Sequence, residues 1–251
     1  MIIDILICTL DDGIKKVPNV LMPLQDGIRY VVSMQWTDEA VLAHVPACLK
    51  ERSDVTLTYL HGRGLSRNRN NAIAHASGDV LVMADDDNRY KTEFINNILS
   101  AYKSHPEADV ITFQAQDLEG HPLHAYPAPY VCSVEMTFKR GVAIPFDERF
   151  GLGSTRFCSG EEQVWIKDAT DAGMRIIQVP CPIVMTPSAT TGTRFLESPL
   201  LQQSKGATFR YVYGMPQAML RSFKEAGWYL VHKGKNPMPI LFNMIKGIMS
   251  L

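Results

Sequence analysis

The sequence predicts an α/β protein, a sandwich around a mainly parallel central sheet with a helical C-terminal extension. Three observations carry that reading. Short runs rich in Ile, Val and Leu alternate with helical patterns through residues 1–115. Polar or glycine-containing turns punctuate the runs. Over the last 50 residues the strand pattern gives way to helical pattern.

The elements follow in order. Ile2 to Leu10 reads as a buried strand, short and β-branched, ended by Asp11-Asp12-Gly13. Ile28 to Met34 is a second strand, and Val55 to Leu60, with Thr alternating, a third. A helix spans about Arg67 to Ala76 and stops at Ser77-Gly78, with Ser66 as the expected cap. Asp79 to Ala84 is a strand that runs straight into Asp85-Asp86-Asp87. The helix from about Lys91 to Ser104 puts Phe94, Ile95, Ile98, Leu99 and Tyr102 on one face. Asp109 to Phe113 is a strand. Residues 114–158 are rich in Gly, Pro and aromatics, with a strand at Val131 to Arg140. A helix at Glu161 to Ala172 closes at Gly173, Met174 to Val179 is a strand, and 180–199 reads as a loop. The helical tail has breaks at Gly214, Gly227 and Pro237–Pro239, and no internal repeat is visible.

Composition bounds the function. At 251 residues, 46% hydrophobic and 20% charged, the chain is globular and builds its core without staples. A net charge of -1 argues against a dedicated nucleic-acid binder. The charge is uneven, however: residues 201–251 carry seven Lys or Arg and the single acid Glu225. Cys8, Cys48, Cys132, Cys158 and Cys181 are odd in number and widely spaced, which suits scattered thiols rather than a disulfide framework or a zinc site. An acid stands where a secretory signal needs basic residues, and no apolar run approaches the roughly 20 residues that cross a bilayer. The expectation is a cytoplasmic protein.

Three constellations carry chemistry. Asp85-Asp86-Asp87-Asn88 at a strand end gathers carboxylates that repel one another unless a cation joins them. Hard oxygen ligands suit Mg²⁺ or Mn²⁺ held together with phosphate oxygens, and the alternative is a solvated acidic turn. In Gly64-Leu65-Ser66-Arg67-Asn68-Arg69-Asn70-Asn71-Ala72, two arginines occupy a first helical turn against the macrodipole. That placement makes sense beside an anion or a carboxylate cluster, or else it is an exposed basic helix start. Gly160-Glu161-Glu162 opens a helix, which the dipole favours, and also reads as a carboxylate base beside a cleft.

Taken in order with Phe146-Asp147-Glu148-Arg149-Phe150-Gly151-Leu152-Gly153, these motifs make the chain resemble glycosyltransferase family 2, the inverting transferases with a GT-A fold. The resemblance covers roughly residues 1–192 and is most specific at 64–89 and 150–173. It implies a GT-A-type nucleotide-binding sandwich. Residues 1–115 would be its nucleotide-sugar half, 116–195 its acceptor and catalytic-base half, and 196–251 a helical extension.

The resemblance also implies a transfer of sugar from a nucleoside-diphosphate sugar to an acceptor hydroxyl, with Mn²⁺ or Mg²⁺, in polysaccharide or glycolipid synthesis. Arg69 and Asn70 match the family's Arg-Asn pair near the nucleotide. Asp85 and Asp87 match the outer positions of its D-x-D, near the ribose and on the metal–diphosphate, with Asp86 between them. Glu162 matches the base, with Glu161 as second candidate, and Thr9 lines the nucleobase pocket, with Asp11 following it. Acceptor recognition falls to Phe150–Phe157 and the 186–194 loop. Two departures stand out. The second strand ends in Ser33-Met34-Gln35-Trp36 rather than an acidic base-reading loop, and Glu162 stands where Asp is commoner.

Two other functions are weighed. A sugar-nucleotide pyrophosphorylase needs a Gly-rich basic loop after the first strand, and Cys8-Thr9-Leu10-Asp11-Asp12-Gly13 lacks it. A non-catalytic sugar- or nucleotide-binding relative would not need the acids at 85–87 and 161–162. At the C-terminus, residues 240–251 put Asn243, Lys246, Gly247 and Ser250 on one narrow helical face, with apolar side chains covering the rest. That segment either lies in the interface of an anionic membrane, bringing the enzyme to a lipid-linked acceptor on the inner face, or packs on the protein's own core or a second copy of the chain.

Overall fold

The computed structural model describes residues 1–125, 131–188 and 194–251. Seven strands form one sheet: β1 Ile3–Leu10, β2 Ile28–Trp36, β3 Val55–His61, β4 Val80–Asp85, β5 Val110–Gln116, β6 Met136–Lys139 and β7 Ile176–Met185. Their order is β3-β2-β1-β4-β6-β5-β7, and only β6 runs antiparallel to its neighbours. The chain winds outward from β1 through β2 to β3, then returns to the other side of β1 with β4. Where the direction of winding reverses, the loops beyond two adjacent strands part, and a crevice opens at their carboxyl ends.

Alternating side chains of β1 build two cores. Ile3, Ile5 and Ile7 join Tyr30, Val32, Val82 and the inner face of helix α3 (Thr92–Ser104), where Phe94, Ile95, Ile98 and Tyr102 are buried. Leu6 and Cys8 face the opposite core, with Leu81, Phe138, Phe146 and Trp165. Helices α2 (Leu65–His75) and α4 (Glu161–Asp171) cover that side through Ala72, Trp165 and Ala169. A short helix α1 (Ala47–Glu51) and the 3-10 turns at 11–15, 17–19 and 39–44 were not predicted, being too short for a periodic signal.

Several expectations need correction. The strand expected over Val131 to Arg140 is confined to β6, because Ser133–Glu135 forms a 3-10 turn. Glu135 is buried there and accepts from the backbone N–H groups of Ala115 and Cys132. β7 runs on through most of the first third of the expected 180–199 loop: Pro182, Val184 and Met185 pair with β5 across two register shifts. Such prolines are tolerated on this edge strand, where a missing N–H leaves no partner strand unpaired. Ser66 is not a cap. Gly64 holds the N-cap position, and Ser66, one residue inside the helix, donates to the Phe150 carbonyl at 2.6 Å.

The tail is helical. α5 (Pro199–Lys233) breaks at Gly214, whose φ of 74° is non-helical, so that its two halves meet where Lys205 pairs with Glu225, whereas Gly227 continues the helix instead of breaking it. Gly234 ends α5, and Asn236 caps α6 (Pro237–Ser250) by accepting from Met238 N–H at 3.0 Å. α6 packs on α5 around Phe195, Leu201, Ala226, Ile240 and Met244. Gly247 belongs to this contact: of the narrow face expected to be polar, Asn243 and Gly247 lie against α5, with Asn243 donating to Gln202 at 2.8 Å, while Lys246 and Ser250 are exposed. A Cβ at Gly247 would fall on the Gln203 carbonyl. Gly247→Val is therefore expected to lower stability by about 1–3 kcal/mol through overpacking. Gly227→Ala, where a Cβ meets open space, should be neutral or stabilising by up to about 1 kcal/mol. Thermal melts of the two variants check this pair, and equal losses would contradict the packing.

Candidate active site

The register of β1 and β4 builds the first part of the site. Cys8 pairs with Asp85, so Thr9, near the end of β1, lies beside Asp86, just past the end of β4. The Thr9 hydroxyl donates to Asp86 Oδ2 at 2.6 Å, and Lys16 Nζ lies 3.6 Å from the other oxygen. Asn88 closes the acidic turn by accepting from Asp85 N–H at 2.8 Å. Among the described residues, the Asp87 carboxylate makes no hydrogen bond or ion pair.

Helices α2 and α4 supply the second part. Arg69 is 2% exposed. Its guanidinium donates to Glu161 Oε1 at 3.1 Å and to Ser133 Oγ at 2.7 Å, lies 3.5 Å from Glu162 Oε1, and stacks over Phe146. Arg67 turns the other way and donates to the His61 carbonyl. Two residues apart on a helix means roughly opposite faces, so only one arginine of the pair meets the carboxylates. Gly160, the N-cap of α4, sits at φ 97°, and a Cβ there would strike Thr208 of α5. The side chains of Glu161 and Glu162 are 6% and 21% exposed, so the first is committed to Arg69 and the second reaches open space.

These groups line one cleft of about 670 Å³. Arg69, Asp85, Asp87, Glu161 and Glu162 are all in its wall. The other expected site residues are not. Thr9 and Asp86 bond to each other beside it. Asp11 accepts from Thr37 N–H and Oγ1 at 2.7 and 2.9 Å. Asn70 clamps the 146–148 loop, bonding both ways with the Phe146 backbone. Of the two expected acceptor segments, Phe150 and Phe157 are buried and stacked on each other at 4.8 Å, while Leu152, Thr186 and Pro187 line the cleft. Residues 189–193 of the 186–194 loop lie outside the described residues.

The cleft holds more acid than base. Burial pushes the Asp85 carboxyl up to about 6, and the charges of Asp87, Glu162 and Asp86 add to burial against the pull of Arg69. Burial and the Glu162 carboxylate raise Glu161 in the same way. The donor set at 85–87 fits a hard divalent cation: Asp85 and Asp87 open on the cleft, and the Asp87 oxygens are uncommitted. Among the described residues these two belong to no group of three close protein ligands, so a cation there would complete its shell with water or substrate oxygens, as Mg²⁺ and Mn²⁺ sites do.

Sequence reasoning missed Ser133, Lys205 and Tyr229. Ser133 reaches Arg69 from a turn that the sequence disguises as strand. Lys205 and Tyr229 line the cleft from α5, and Lys205 pairs with Glu225. The one acid in a basic tail was the available signal for that pair.

Comparison with known proteins agrees with the geometry. The model of the family described as glycosyl transferase family 2 matches residues 37–154. No curated protein sequence matches the chain. Among solved structures, S. aureus TarS 1–349 is similar at 13% identity, with 100% of this chain and 91% of that chain covered and a TM-score of 0.63. The mannosyltransferase PcManGT from Pyrobaculum calidifontis, in complex with GDP-Man and Mn²⁺, shares 14% identity over 98% of this chain and 68% of its own, at a TM-score of 0.57. Glucosyl-3-phosphoglycerate synthase from Mycobacterium tuberculosis, with Mn²⁺, UDP and phosphoglyceric acid, shares 17% over 86% and 79%, at 0.58. The family match ends before Glu161 and Glu162, so their pairing with Arg69 and the acidic turn rests on this fold's own geometry. Residues 37–154 thus match glycosyl transferase family 2, and the chain as a whole shares the fold of these glycosyltransferases.

Proposed function

We propose that the protein is a metal-dependent inverting glycosyltransferase that moves a sugar from a nucleoside-diphosphate sugar to an acceptor hydroxyl, in polysaccharide or glycolipid synthesis. The observation that carries the reading is the convergence of Glu162, Asp85 and Asp87 around the buried Arg69 in one cleft at the carboxyl ends of β1 and β4. Relatives of the same fold were solved with GDP-Man and Mn²⁺ or with UDP and Mn²⁺, which supports both the donor class and the cation.

Glu162 takes the proton of the acceptor hydroxyl as its oxygen attacks the anomeric carbon, and the bond to the nucleoside diphosphate breaks on the opposite side. A carboxylate suits this role because the hydroxyl becomes acidic only as the new bond forms. Glu162 is the base rather than Glu161 because its carboxylate faces open space, whereas Glu161 is buried on Arg69. Arg69 fixes the position of both. Asp85 and Asp87 would hold Mn²⁺ or Mg²⁺, whose Lewis acidity offsets the charge that develops on the departing diphosphate. Thr9 and Asp86 brace the end of β1 beside the nucleotide, Asp11 fixes the following turn on Thr37, and Asn70 holds the 146–148 segment. On this reading residues 1–115 bind the donor, and 116–195 bind the acceptor and bring the base.

A binding module is the competing function, and labelled nucleotide sugars separate the two: release of nucleoside diphosphate supports the transferase, and tight binding without turnover supports the module. Glu162→Gln keeps size but cannot take the proton, and is expected to lower transfer by about 10²–10⁴-fold with donor affinity retained. Glu161→Gln should act through Arg69, so it should lower the melting temperature as well as the rate. If only Glu161→Gln abolishes transfer while keeping the fold, the two roles exchange.

The metal prediction has a stability readout. Asp87→Ala should remove cation dependence together with diphosphate affinity, and full turnover in chelator would contradict it. In the metal-free protein, a carboxyl raised in the folded state favours folding at low pH and loses that contribution as pH rises. Stability should therefore fall as pH climbs from about 4 towards Asp85's value of about 6 and beyond. Asp85→Asn should flatten that fall and abolish activity, and pH-dependent melts check both.

A further inference from the structure

Helices α5 and α6 both carry large apolar side chains on their outer faces. Past Gly214, α5 buries the small residues Ala218, Ser222 and Ala226 at a spacing of four, Ala226 among Leu201, Ile240 and Met244. Its large apolar side chains lie on the other side: Leu220, Phe223, Leu230 and Val231. α6 is apolar on both faces. Ile240, Met244, Gly247 and Ile248 face α5, while Met238, Phe242 and Met249 point outward, four and seven residues apart. These seven outward side chains are between 50% and 76% exposed. A helix that only closed a core would keep its outer face polar.

Charge decides what covers these stripes. Arg221, Lys224, Lys233, Lys235 and Lys246 are all exposed on or between the two helices. The single acid of the segment, Glu225, is already paired with Lys205. A symmetric contact with a second copy would set this basic surface against itself. An anionic lipid surface instead offers acyl chains to the stripes and headgroup charge to the flanks. Among the described residues no helix is long and apolar enough to cross a membrane, so the contact is a shallow one.

We propose that the outer faces of α5 and α6 dock the enzyme on an anionic membrane surface and that its acceptor is lipid-linked. The acceptor part rests on the glycosyltransferase reading above. Tyr229 lines the cleft while the adjacent Leu230 and Val231 face outward, so one helix, about 10–12 Å across, separates the docking face from the cleft. A sugar acceptor carried on a lipid would enter from that side with its lipid still in the bilayer.

Flotation of the full chain with vesicles of about 30 mol% phosphatidylglycerol in phosphatidylcholine tests the docking. The protein should float at about 50 mM salt, stay down at about 500 mM, and not bind phosphatidylcholine alone. The combined variant Leu220→Ser, Phe223→Ser, Val231→Ser and Phe242→Ser should bind about tenfold less while keeping its melting temperature and its release of nucleoside diphosphate from a soluble donor. Lys224→Gln with Lys233→Gln and Lys235→Gln, which leaves the apolar stripes intact, should weaken binding and flatten its salt dependence. An intact chain that never floats overturns the docking. So does self-association in sedimentation that the apolar variant abolishes, because the face is then a contact between copies. Flotation without turnover of any nucleotide sugar would support docking and remove the glycosyltransferase reading, and turnover without flotation would do the opposite.

Discussion

The site depends on one buried cation. Arg69 is enclosed by Glu161, Glu162, Ser133 and the ring of Phe146, and through them it ties α2 to α4 and to the turn before β6. A guanidinium in such a place is costly unless its charge is met, and two carboxylates meet it. They overshoot. With Asp85 and Asp87 opening on the same cleft, the wall carries four carboxylates to the one arginine, besides Lys205, which is already taken by Glu225. Burial raises the Asp85 carboxyl, and the neighbouring carboxylates of Asp87, Glu162 and Asp86 add to it.

An acid-rich cleft at the winding reversal of a parallel sheet accepts a cation and a polyanion together more readily than either alone. The cation offsets the carboxylates, and the phosphates complete the shell that two carboxylates leave open. The same geometry divides labour between adjacent glutamates. Glu161 is spent on Arg69, which fixes the start of α4, and that fixed helix start presents Glu162 to the cleft. α5 enters the account twice, as a wall of the cleft through Lys205, Thr208 and Tyr229, and as part of the outward surface next to it.

Much of this was legible in the sequence, for definite reasons. Buried parallel strands write themselves as continuous apolar runs, so β1, β2, β4 and β5 stand out, and the amphipathic period of α3 is unambiguous. The acidic turn and the Gly160-Glu161-Glu162 start are chemically conspicuous because adjacent like charges are rare without a purpose. What stayed hidden depends on distant contacts. Nothing local tells that Arg69, and not Arg67, meets a glutamate 92 positions away. Ser66 has the chemistry of a cap, but Phe150 offers it a better-placed acceptor, and Gly64 starts the helix. β7 extends past two prolines because it is an edge strand, and edge status is a property of the sheet. In α6, Gly247 looked like part of a polar face until its neighbour across the helix pair was known.

The central claim is that the cleft is short of positive charge and that a divalent cation supplies it together with a nucleoside diphosphate. Titration of the protein with Mn²⁺, followed by the paramagnetic resonance of the free ion with and without UDP or GDP, measures this directly. The account predicts about one tightly held Mn²⁺ per chain in the presence of the right nucleotide, and much weaker uptake without it. Nucleotide binding that is indifferent to Mn²⁺, with no ion retained in either condition, would contradict it.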